Sequence, residues 1–113
     1  MKHEPMTTKQ RLAMKQIVLQ VAEERYRQHE LWGEQNLELG WQFGSQSAVD
    51  LLAELRKSFA FLRDKGLPET WSMVIQEEFH EVLAETDRAK LKTEAIQLAA
   101  VLVQFVEFLD RTA

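Results

Sequence analysis

The chain contains no cysteine among its 113 residues, so it forms no disulfide and offers no thiolate to a metal. Any metal must be held by oxygen or imidazole ligands, which favours hard cations such as magnesium or manganese. Only four glycines and two prolines punctuate the chain, and its apolar residues recur at three and four positions rather than two, which gives an all-α class. No apolar run approaches the roughly 20 residues of a membrane span, and the opening MKHEPMTTKQ has no apolar core of signal-peptide type, so a cytoplasmic location with no membrane partner is expected. An excess of positive charge is also lacking. A net charge of −4 weighs against nonspecific binding to duplex nucleic acid, where lysine and arginine contacts to phosphate supply most of the affinity. It leaves room for a small phosphorylated substrate, because a bound divalent cation reverses the local sign.

The chain is 45% hydrophobic and has the size of one globular domain spanning residues 1–113. Thr7 and Gln10 have capping-box spacing, so a first helix should start near Thr7 and run to about Leu31, with Met14, Ile17, Val18, Val21 and Ala22 as its apolar stripe. The segment WGEQNLELGWQFGSQS, residues 32–47, holds three of the four glycines and is the one long irregular connection, a place where function often resides. A second helix is expected over 47–65, with Leu52, Leu55, Phe59 and Leu62 on one face and Gly66 as its stop. Pro68 suits the first turn of a third helix over 68–86.

A fourth helix, over 88–111, is apolar nearly all round from Ala95 to Val106 and needs neighbours on several sides. Three other helices cover it only in part, so a second subunit is expected against it, giving a homodimer or higher homo-oligomer. Within it, TEAIQLAAVLVQF carries two glutamines, Gln97 and Gln104. A buried amide without a partner costs about 1–3 kcal/mol, so each must reach water, bond a neighbour or serve a site.

The third helix carries QEEFHEVLAE, which sets Glu77, Glu78, Glu81 and Glu85 at spacings of three and four along one side. A solvated acidic face is the ordinary reading of such a stripe. The fourth helix adds Glu94 three residues before Gln97, a second oxygen-bearing pair at helical spacing beside the most apolar stretch of the chain. Two antiparallel helices with facing pairs of this kind can coordinate a divalent cation.

EEFHE at 77–81 followed by EAIQ at 94–97 resembles the EExxE and ExxD pattern of the all-α nucleoside triphosphate pyrophosphohydrolases of the MazG-like superfamily. ERYRQHELWGEQN at 24–36, WSMVIQEEFHEVLAETD at 71–87 and EAIQLAAVLVQFVEFLDR at 94–111 resemble successive blocks of a bacterial and phage MazG-like subfamily. The resemblance implies a four-helix MazG-like bundle completed by oligomerisation. It also implies hydrolysis of a (deoxy)nucleoside triphosphate to the monophosphate and pyrophosphate, with magnesium, or manganese in its place, held by the motif carboxylates. By position, Glu78, Glu81 and Glu94 look like the metal ligands, with Glu77 a neighbouring ligand or water-orienting base. The departure is Gln97, which stands where the superfamily has aspartate and offers a neutral, weaker oxygen to a hard cation. The chemistry is sensible apart from the resemblance: phosphoryl transfer needs charge neutralisation and an in-line water more than covalent catalysis, and a carboxylate beside the cation can take the proton of that water.

Arg25, Arg27, Lys90 and Lys92 are candidates to meet a phosphate tail, against the ordinary reading that such side chains are only solvated. Trp32, Asn36 and Trp41 lie in or beside the irregular segment, where an indole can stack on a base and an amide can read its edge; the other reading is that the tryptophans plug a core. Trp71 suits packing, His80 suits a surface or interface role because it points about 100° from its neighbours in the acidic motif, and His3 and His29 carry no usable signal. The competing function is a non-catalytic helical oligomerisation module, or a nucleotide-binding regulatory one, whose carboxylates only solvate it.

Overall fold

A computed structural model describes residues 3–112; Met1, Lys2 and Ala113, the ends of the expected single domain, lie outside the described residues. Thr7 and Gln10 form the capping box reciprocally, Gln10 N–H donating to Thr7 Oγ1 at 3.1 Å and Thr7 N–H to Gln10 Oε1 at 2.8 Å. Helix α1, Thr8–Trp32, follows and stops at Gly33, whose φ of 66° turns the chain while its N–H donates to the His29 carbonyl at 2.8 Å. Ser45 caps α2, Gln46–Asp64, by accepting from Ala48 N–H at 3.1 Å. At its other end Gly66 N–H bonds Arg63 O at 2.9 Å and Leu67 N–H bonds Leu62 O at 3.1 Å, a Schellman pair that satisfies the last carbonyls and requires the φ of 77° at Gly66.

Helix α3, Trp71–Ala84, begins three residues later than Pro68 suggested. The Thr70 hydroxyl accepts from Met73 N–H at 3.2 Å and takes the capping position, which leaves Pro68 in the connection. Helix α4, Arg88–Arg111, is capped by Asp87, whose side chain accepts from Lys90 N–H at 3.0 Å. The class is therefore all-α, four helices with no strand among the described residues. No helix among them is long and apolar enough to cross a membrane.

The chain divides into two compact units. The first comprises the residues up to Leu37 and those from Val103 onward. There Ile17 is buried and Met14 and Ala22 are half-buried, whereas Val18 and Val21 are exposed, so the stripe on α1 is narrower than its spacing predicts. The second unit, Glu38–Leu102, holds α2, α3 and the first part of α4. Helices α2 and α3 pack antiparallel, with Ala48, Leu52 and Phe59 of α2 and Met73 of α3 buried. The turn before α2 is tied to the end of α3 by Gly44 N–H, which donates to Leu83 O at 2.8 Å. Gly44 has φ 68°, and a Cβ there would collide with the Thr86 side chain, so both the turn and the close approach require glycine.

No residue of α4 is buried within the chain, and both Gln97 and Gln104 are exposed. The two amides reach solvent, which resolves their place in an otherwise apolar helix.

Candidate metal centre

Residues three apart on a helix lie about 60° apart in projection and residues four apart about 40°. Glu81 therefore sits between two rows of α3, one shared with Glu78 and one shared with Glu77. The Glu78 row meets Glu94 on α4: one oxygen from each of Glu78, Glu81 and Glu94 can be chosen so that all three lie within 4.8 Å of one another. All three residues are half-buried. Glu78 Oε2 and Glu94 Oε2 are buried and have no hydrogen-bond partner, an arrangement costly for carboxylates unless something positive joins them. The hard oxygen donor set fits magnesium or manganese, in keeping with a chain that has no thiolate.

The electrostatics reflect the crowding. Burial, followed by the charges of Glu81 and Glu77, pushes the Glu78 carboxyl above its ordinary range. Burial also raises Glu94, helped by a hydrogen bond with Glu81 and by the charges of Glu81, Glu78 and Glu85. A proton and any divalent cation would compete for the same oxygens.

The other row of α3 faces α2 and is neutralised by arginine. Arg63 donates to Glu77 Oε1 at 2.8 Å and to both oxygens of Glu69, at 2.8 and 2.9 Å, and this pairing holds the guanidinium well above its usual range and Glu69 below its own. Glu77 thus lies in an ion pair beside the three-carboxylate group. Arg56 donates from Nη2 to Glu81 Oε1 at 3.0 Å. Glu85 is committed to the α3–α4 connection, its Oε1 accepting from Thr86 N–H and Asp87 N–H at 3.1 Å each. Gln97 is exposed, one turn beyond Glu94 on α4.

Arg27, Trp32 and Asn36 belong to the first unit and are exposed. Arg27 pairs with Glu24 on its own helix, donating from Nε at 2.8 Å and from Nη2 to the other oxygen. An open cleft of about 650 Å³ in that unit is lined by Arg25, Gln28, His29, Gly33, Glu34 and Gln35. Lys90 lies in the first turn of α4 and is exposed. His80 is half-buried, its Nδ1 2.7 Å from Gln76 O and its ring edge-on to Phe79, and with Trp41, Ser45 and Leu51 it lines a notch of about 90 Å³. Arg56 and Arg63 escape a reading confined to the acidic motif. Their signal is a heptad spacing beside the Leu52 and Phe59 stripe, matched by Glu77 and Glu81 four apart on α3.

Comparison of the chain with protein-family models, with curated proteins and with solved structures gave no match.

Proposed function

We propose that the protein is a MazG-like, magnesium-dependent nucleotide pyrophosphohydrolase that converts a (deoxy)nucleoside triphosphate to the monophosphate and pyrophosphate. The observation that carries this reading is the convergence of Glu78, Glu81 and Glu94 from two helices within 4.8 Å, with unpartnered buried oxygens on two of them. These three residues would hold the cation, with Gln97 as the adjoining amide. A divalent cation bound there supplies charge neutralisation for phosphate oxygens. The chain's own part is to hold three hard donors in place and to take a proton: Glu77 and Glu78, four and three residues before Glu81, are the carboxylates proposed to orient an attacking water. Arg27 and Lys90 are proposed for the phosphates, and Trp32 and Asn36 for the base. We place the enzyme in the cytoplasm as a homo-oligomer.

The exposure of Phe61, Phe79, Ile96 and Leu102 favours a second reading, a helical oligomerisation or nucleotide-binding module without turnover. A panel of canonical and modified nucleoside triphosphates assayed for pyrophosphate release with magnesium, with manganese and with a chelator separates the two. Metal-dependent release supports the enzyme, and no release under any condition supports the module.

A further inference from the structure

Two arginines of α2 reach the acidic row of α3, and they are held very differently. Arg63 spends its guanidinium on two carboxylates and three hydrogen bonds, so its charge and geometry are satisfied. Arg56 makes one hydrogen bond, to Glu81 Oε1 at 3.0 Å, and its side chain is 55% exposed where that of Glu81 is 22% exposed. A guanidinium carries five N–H donors in a rigid fork, so most of those of Arg56 face solvent at the rim of the carboxylate group. The carboxylate it touches is also the one that joins Glu78 and Glu94. Arg56 is therefore the present counter-charge of an over-acidic cluster and a fork suited to bidentate contact with phosphate.

We propose that Arg56 is a phosphate-binding residue of this site, exchanging its ion pair with Glu81 for phosphate oxygens of the nucleotide when a divalent cation takes its place on that carboxylate. The inference rests on the reading of Glu78, Glu81 and Glu94 as cation ligands. It assigns to α2 a role in substrate binding, since the arginine competes with the cation when phosphate is absent and cooperates with it when phosphate is present. A fixed helix-to-helix ion pair would act on cation and phosphate through space with the same two signs, so the guanidinium fork, tested by Arg56→Lys, is what separates the two.

The test is calorimetric titration of the full chain, wild type against Arg56→Gln and Arg56→Lys, first with magnesium or manganese alone and then with inorganic pyrophosphate at saturating magnesium. Removing the competing charge in Arg56→Gln should tighten binding of the cation alone by about threefold or more, the scale of a partly exposed ion pair. Losing a charge-assisted fork should weaken pyrophosphate binding by about tenfold or more. Arg56→Lys keeps the charge without the fork, so cation binding should stay near wild type while pyrophosphate binding falls. If Arg56→Gln does not fold, the lysine variant decides alone: unchanged pyrophosphate affinity overturns the proposal. Equal loss of both affinities in Arg56→Gln, or no change in either, also overturns it while leaving the cation site standing. A wild type that binds neither cation overturns the site and this inference with it.

Discussion

Glu78 and Glu94 are the residues at which burial and charge oppose each other. Burial and neighbouring charge raise both carboxyls above the ordinary value of 4.5, so the folded chain without cation holds protons that the unfolded chain has released. Stability from these groups is thus fully present below about pH 4.5 and is lost as pH rises through their elevated folded values. Chelated protein should show a falling melting midpoint over that window, and magnesium should restore it most at the higher pH, because the cation binds the deprotonated cluster. A midpoint insensitive to magnesium at every pH would remove these carboxylates from a metal site. Glu81→Gln deletes the charge shared by both rows of α3 and should abolish metal-dependent pyrophosphate release while the helical circular dichroism is retained; an unchanged rate would take Glu81 out of the chemistry. Gln97→Asp adds a carboxylate one turn beyond Glu94 and is expected to tighten magnesium binding, and an affinity equal to wild type would mark Gln97 as a solvated amide only.

At the scale of elements, the segments that could be read in advance are those whose signals are local. The Thr7 and Gln10 box fixes the start of α1 through two hydrogen bonds within four residues, and Gly66 ends α2 through its own φ, so both were legible. The start of α3 was not: Pro68 and Thr70 both suit a helix entrance, and the choice fell to the hydroxyl that satisfies Met73 N–H. Of the candidate site, the i, i+3 placing of Glu78 and Glu81 and the position of Glu94 were legible from spacing and motif. The pairing of Arg56 with Glu81 and of Arg63 with Glu77 was not, because it depends on α2 and α3 lying antiparallel, and the diversion of Glu77 toward α2 follows from the same packing. The connection between α1 and α2 likewise shows its constraint only in three dimensions, where Gly44 meets both Leu83 and Thr86. Gly44→Ala should lower stability by about 1–3 kcal/mol, combining positive-φ strain with displacement of Thr86. Chemical denaturation measures this, and a loss below a few tenths of a kcal/mol would show that the turn rearranges freely.

For the molecule as a whole, the decisive contrast is between composition and burial. The chain is 45% hydrophobic, yet among the described residues the buried apolar side chains are only Ile17, Ala48, Leu52, Phe59 and Met73. Helix α4, apolar nearly all round from Ala95 to Val106, buries none, and Ile96 is 59% exposed. Scattered apolar residues at a surface are ordinary, but here Leu98, Val101, Val103, Phe105 and Val106 are only half-buried and Ala95, Ile96, Ala99, Ala100 and Leu102 are exposed, a run of apolar surface of the kind found at interfaces. The occupant proposed is a second copy of the chain, since a shared apolar face closes on itself under two-fold symmetry and needs no other component. Ala99 is exposed on α4, so a glutamate there would be harmless in a monomer and would bury an unpaired charge in an oligomer, a cost of about 3–5 kcal/mol. Wild-type protein is therefore expected to scatter light as a dimer or larger, and Ala99→Glu should dissociate it or unfold it at concentrations where the wild type is assembled. A folded, monodisperse wild-type monomer would show that α4 keeps its apolar surface open to water, and Ala99→Glu would then leave both mass and melting midpoint unchanged.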